Sequence, residues 1–281
     1  MKEIEINKET FNKLRPINFE HDRVCYINIH GEKKILKKFP YNEELKKDYI
    51  YTVKILNNNK NCFSDNFVLP LELVKYKEEL IGFTTKEIKN SLTLEEILKS
   101  KISHQEKIYY LKKLGNILRK CDEIRKHLDF ALTDLHEENV LTDLNDIYLI
   151  DLDSVKLKDN FIKPARYMGP TSLASNTNKY ENIKGFIIPS RETEIYNYII
   201  IILNYILKID VAYISIKDYQ NKLDYLNQLK FNQELIDIFS KIVSSENNIN
   251  PDYLLDTITL KQLNKVYKHE YYKNLKCGIF K

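Results

Sequence analysis

Apolar and polar residues alternate between about residues 17 and 39. The run Val24 to Ile29, the turn His30-Gly31 and the run Lys33 to Phe39 predict a β-hairpin with side chains on opposite faces. The period then becomes helical from Asn42 to Leu56, and the stretch Asn57 to Asn61 ends it. Phe67 to Tyr76 and Glu79 to Ile88 predict two more strands, joined at the polar Lys77-Glu78-Glu79. Beyond residue 90 the chain reads as mostly helical. Thr93 precedes Glu96 by three residues, the spacing of a capping box, and Leu111, Leu114, Leu118 and Cys121 mark a long amphipathic helix to about Lys126. Two short strands, Asn139 to Thr142 and Ile147 to Asp151, flank the turn Asp143 to Asp146. An irregular stretch from Lys156 to Arg191 follows. Further helices are predicted at Thr193–Leu207, Lys217–Leu229, Gln233–Val243 and Pro251–Lys268. The pattern implies an α+β chain in two units, a strand-rich one over 1–90 and a helical one over 91–281.

Composition narrows the function. With 43% hydrophobic and 30% charged residues, the chain has the make-up of a globular protein. Its 44 basic and 40 acidic residues nearly cancel to +4, and Lys33-Lys34 and Lys37-Lys38 are interspersed with acids. Nucleic-acid binders carry a clustered basic excess, so none is expected as a partner. Cys25, Cys62, Cys121 and Cys277 are widely spaced and the six histidines do not cluster, which speaks against a disulfide framework or a zinc site. The N-terminal residues lack an apolar signal segment. The longest apolar run, Ile195 to Leu207, is too short to span a bilayer and contains Asn197 and Asn204. A reduced, cytoplasmic protein without a membrane partner is the expectation.

Chemistry concentrates between Ala131 and Val155. Asp134 follows Ala131-Leu132-Thr133, Asn139 comes five residues later before a strand, and Asp151 follows the apolar run Ile147 to Ile150. A carboxylate to take a hydroxyl proton, with an amide oxygen and a second carboxylate to hold Mg²⁺ on nucleotide phosphates, is what phosphoryl transfer requires. This spacing resembles the catalytic loop and metal-binding Asp of the protein kinase superfamily. It implies Asp134 as catalytic base and Asn139 and Asp151 as metal ligands, while Asp153 reads either as a second metal ligand or as a turn residue.

The resemblance extends over residues 17 to 260. It implies a two-lobed protein-kinase-like fold, with a small antiparallel β-rich lobe and a mostly helical one. Ile35-Leu36-Lys37 is similar to the strand whose lysine meets the nucleotide phosphates, with Glu44 or Asp48 as its helical partner. Lys86 to Ile88 look like the hinge that binds adenine, placing Glu87 and Ile88 at the nucleotide, and Glu194 takes the place of the helix acid that braces the catalytic loop. The departures are equally concrete. The segment Phe19 to Tyr26 contains no glycine, Leu132 and Thr133 stand at the usual His/Tyr and Arg/Gly positions, and the metal motif reads Asp-Leu-Asp.

The implied activity is an ATP- and Mg²⁺-dependent phosphotransferase acting on a hydroxyl, Ser or Thr of a protein above all. The alternatives are a small-molecule kinase similar to aminoglycoside and choline kinases, whose loop Asp134-Leu135-His136-Glu137-Glu138-Asn139 resembles, and a pseudokinase scaffold. The loop from Lys156 to Arg191 is expected to meet the substrate, with Tyr167, Ser172, Ser175, Thr177 and Tyr180 as candidate phosphorylation sites.

Overall fold

The alternation of apolar and polar residues between Val24 and Phe39 decides which side chains the sheet offers to each side. The computed structural model describes residues 1–18, 21–158, 166–177, 179–183 and 186–244, with Leu263, Val266 and Tyr267. It begins with β1 (Lys2–Glu5), α1 (Lys8–Asn12), β2 (Arg15–Asn18), β3 (His21–Ile29) and β4 (Glu32–Lys38). Next come α2 (Glu43–Asn58), β5 (Glu72–Tyr76) and β6 (Glu79–Lys86). The six strands form one sheet in the order β1-β5-β6-β4-β3-β2, antiparallel except for the parallel pair β1 and β5. Leu36 faces a cluster with Ile27, Ile29 and Val74. Its neighbours in the period-two pattern face the other way, where Phe39 and Phe83 pack beneath Val53 of α2. Lys37 is on this second face. Gly82, opposite Lys38 in β6, is required by close approach, because a Cβ there would lie 2.3 Å from the Lys37 carbonyl oxygen.

The expected strand from Phe67 to Tyr76 is shorter than its apolar run. Pro70 cannot donate to a ladder, and β5 starts only at Glu72; Phe67 makes an isolated bridge to Leu149.

The remaining elements are β7 (Leu92–Thr93), α3 (Leu94–Lys99), α4 (His104–Arg125), β8 (Phe130–Ala131), β9 (Val140–Thr142), β10 (Ile147–Leu149) and β11 (Lys156–Leu157). After them come α5 (Leu173–Asn176), a two-stranded hairpin of β12 (Asn182–Ile183) and β13 (Phe186–Ile187), α6 (Arg191–Leu207), α7 (Ile216–Gln228) and α8 (Gln233–Lys241). Thr93 and Ser103 each close a capping box, with Glu96 and Glu106 respectively, and so start α3 and α4. α6 is apolar on nearly every side and is accordingly buried. The Tyr198 hydroxyl donates to the Leu111 carbonyl at 2.9 Å, tying α6 to α4. β9, β10 and β7 make a three-stranded sheet, and β8 pairs with β11. The fold is therefore mixed α+β with an antiparallel-rich sheet. The helix expected over Pro251–Lys268 lies outside the described residues except at Leu263, Val266 and Tyr267. Among the described residues no helix is long and apolar enough to cross a membrane.

Candidate functional site

Lys37 leaves β4 on the α2 face and meets two carboxylates. Its Nζ is 2.6 Å from Asp153 Oδ1 and 3.1 Å from Asp151 Oδ2. Both acids come from the segment after β10. Asp151 has a left-handed backbone (φ 60°, ψ 38°), and Asp153 is within the 3-10 turn Leu152–Ser154 that this bend starts. The expectation that Asp151 closes a strand is corrected here: pairing stops at Leu149, and the backbone bend two residues on aims the carboxylate. Lys37 is held as an ammonium: burial opposes its charge, but the two carboxylates outweigh burial and raise its pKa.

Asp151 and Asp153 border a cavity of about 370 Å³ between the six-stranded sheet and the helical part. Val24, Ile35, Val68 and Leu141 supply apolar walls, and Glu87 and Ile88 stand at its rim. Glu87 also pairs with Lys33 at 2.6 Å, and the Ile88 carbonyl accepts the Ser91 hydroxyl at 2.9 Å. Such a space suits a flat, largely apolar ring with a polar edge.

A smaller cleft adjoins it, and here Asp134, Asn139 and Asp151 come together. Asn139 Nδ2 donates to the Asp134 carbonyl at 2.9 Å, which folds the loop back on itself and leaves the amide oxygen of Asn139 for a ligand. The Asp134 carboxylate accepts the Arg166 N–H at 3.3 Å and is 3.6 Å from His136 Nε2. Burial works to raise the Asp134 pKa, but His136, the Arg166 N–H and Lys37 together hold it below the ordinary carboxylate value. A base kept ionised in a partly enclosed cleft can accept a hydroxyl proton.

The loop's rigidity comes from beneath. Glu194, in the first turn of α6 and 1% exposed, accepts the Leu132 N–H at 2.8 Å and the Arg125 guanidinium at 2.9 Å. Arg125 also binds Asp122 at 2.7 Å. Thr133 Oγ1 donates to the Ser154 carbonyl at 2.9 Å, joining the Asp134 loop to the turn that carries Asp153.

The donor set suits a small, hard dication. Among the described residues no group of three or more His, Cys, Asp or Glu side chains forms a metal site. The Asn139 amide oxygen adds a neutral donor beside Asp134 and Asp151 in the smaller cleft. Asp153 Oδ2 is buried with no hydrogen-bond partner among the described residues, an acceptor that a cation would satisfy. Burial and the neighbouring Asp151 push the Asp153 carboxyl up against the pull of Lys37, a shift that a bound cation would oppose.

Glu44 is not part of this arrangement. It is exposed in the first turn of α2, where a carboxylate suits the positive end of the helix, and Lys37 is occupied by Asp151 and Asp153. At 3.6 residues per turn, Glu44 points roughly opposite to Tyr49 and Val53, the α2 residues that pack on the sheet. Asp48 is on the flank between them. His136 and Arg166 border the site at Asp134, and Tyr49 lies near Asp153 and Lys37, although sequence pattern assigned none of them a role. Of the three, only His136 has a sequence signal, its position two residues from Asp134 in the loop that ends at Asn139. Of the hydroxyls expected on the 156–191 loop, Tyr167, Ser172 and Tyr180 are buried. Residues 19 and 20 of the glycine-free segment, and residues 159–165, 178, 184 and 185 of the expected substrate-facing stretch, lie outside the described residues. No family model matches the chain, and no curated protein matches it.

Proposed function

We propose that the chain is an ATP-dependent phosphotransferase of protein-kinase-like, two-lobed organisation, with the nucleotide between the sheet and the helical part. The observation that carries this reading is the convergence of Lys37, Asp151 and Asp153 at the mouth of the 370 Å³ cavity, with Asp134 and Asn139 in the adjoining cleft. The adenine ring would occupy the apolar end near Glu87 and Ile88, and Lys37 would meet the phosphates. Asn139, Asp151 and Asp153 would hold Mg²⁺, which supplies charge neutralisation at the phosphates. Asp134 would take the proton of the acceptor hydroxyl as its oxygen bonds to the γ-phosphorus and the bond to ADP breaks.

The acceptor reading inferred from the chain's own motifs is Ser or Thr of a protein. A second reading, a small-molecule alcohol, is favoured by a further cavity of about 630 Å³ that reaches Glu137 and Arg166 beside the Asp134 loop. The test uses Mg²⁺ and γ-labelled ATP with a generic acceptor protein and a panel of alcohols. Asp134→Ala should lower label transfer by roughly 10²–10⁴-fold while ATP still stabilises the protein. Equal transfer by the variant and the wild type would sink the assignment of Asp134, and absence of any ATP binding would sink the activity.

A further inference from the structure

The 630 Å³ cavity has a polarity of its own. Its walls come from α3, α4 and the end of α6, together with Arg166 and Tyr167. Lys107 and Lys208 both border it. Lys107 is buried, and its Nζ donates to the Leu98 carbonyl at 2.9 Å and the Ser100 carbonyl at 2.6 Å. Lys208 ends α6 in the left-handed conformation (φ 56°), a position that glycine or asparagine usually fills. Its ammonium lies 4.4 Å from the Tyr205 ring centre and 5.1 Å from that of Tyr267. Among the described residues neither lysine has a carboxylate within salt-bridge distance. Burial and the nearby Lys107 push the Lys208 ammonium down to about 8.

The carboxylates that line the cavity are already engaged. Glu95 pairs with Lys99 at 2.6 Å, Glu137 accepts the Tyr167 hydroxyl, and Asp210 accepts the Ala212 N–H at 3.1 Å. Two ammonium groups held near each other, Lys107 buried and Lys208 open to solvent, are unfavourable alone and favour an anion between them. Beside them His104 stacks on Tyr267 with centroids 4.6 Å apart, giving a flat wall against which a ligand can rest. Arg166 forms the boundary toward the reacting end, since its backbone N–H is bound to Asp134.

We propose that this cavity binds the acceptor through an anionic group, a phosphate or a carboxylate held between Lys107 and Lys208, with the acceptor's alcohol end toward the Asp134 loop. The anion site stands on the cavity itself; its role in catalysis rests on the phosphotransferase reading.

Two arms separate these claims. In the first, inorganic phosphate or acetate is titrated into the ATP-free protein, and acylation of each lysine by an amine-reactive ester is followed by mass spectrometry. Either anion should slow Lys208 labelling roughly tenfold, as expected for a charge-assisted contact, while surface lysines such as Lys13 are unaffected. Unchanged labelling of Lys208 with both anions would overturn the anion site. In the second arm, label transfer from ATP is compared for glycerol 3-phosphate against glycerol and for gluconate against glucose. The anionic member should be preferred roughly tenfold or more in kcat/KM, and Lys208→Asn, which retains the left-handed backbone cheaply, should abolish the preference through KM. Preference for the neutral alcohols would overturn the acceptor role. Protection of Lys208 with no transfer to any alcohol would keep the anion site and overturn the phosphotransferase reading.

Discussion

Asp151 adopts a backbone conformation that costs a non-glycine residue of order 1 kcal/mol or more, and such residues gather where geometry matters more than local comfort. The bend turns the chain out of β10 and delivers two acids, Asp151 and Asp153, to one lysine. Asp153 is the more deeply placed, 1% exposed against 44% for Asp151, so it is the principal partner of Lys37. Removing one member of a buried pair leaves the other charge uncompensated. Asp153→Asn should therefore destabilise the fold by up to about 3 kcal/mol, seen as a lower denaturation midpoint, and weaken nucleotide binding. Glu44→Ala should change stability by less than about 0.5 kcal/mol and leave nucleotide binding intact, because its side chain is exposed on the far side of α2. Equal effects of the two substitutions would return the role to the helix. The sequence made Asp134, Asn139 and Asp151 legible, because their spacing sits within one short stretch of chain. It could not show Lys37's partner, which depends on the rotation of α2 and on a turn 116 positions away.

At the scale of elements, period and capping carried most of the information. The β3–β4 hairpin, α2, α4 and α6 follow from their apolar spacing, and the Thr93–Glu96 box marks the start of α3. β1 and α1 were not legible. A four-residue strand such as β1 has little pattern of its own and is defined by the edge of β5 that it joins. α6 carries a further consequence, since its first turn supports the Asp134 loop. Burial pushes the Glu194 carboxyl up to about 7 from an ordinary 4.5, against the pull of Arg125. Between those values the folded chain binds more protons than the unfolded one, so this group's contribution is greatest below 4.5 and is lost as pH rises toward 7. The full change is roughly 3 kcal/mol. Glu194→Gln cannot ionise, so the wild type's stability relative to this variant should fall between about pH 5 and about pH 8, as read by urea denaturation. A difference that does not vary with pH would show that Glu194 remains ionised throughout.

For the molecule as a whole, the cavity joins parts that come from distant stretches of sequence. The sheet supplies Lys37, the β9–β10 region supplies Asn139 and Asp151, and α6 holds the intervening loop from below. A ligand that touches all of them stabilises only the assembled state, by about 2.7 kcal/mol at a hundred times its Kd. Asp151→Asn should abolish the thermal shift produced by Mg²⁺ and ATP; an undiminished shift would remove Asp151 from the metal. The six-stranded sheet has another consequence, for the order in which the chain becomes structured. Lys2 of β1 pairs in parallel with Glu72 of β5, so the outermost strand is synthesised seventy positions before the neighbour it needs. At about 5–20 residues per second, β1 waits roughly 4–14 s on the ribosome, with its edge unmatched. The hairpin of β3 and β4 needs only a local turn, whereas β1 has no partner in the sheet until β5 has emerged.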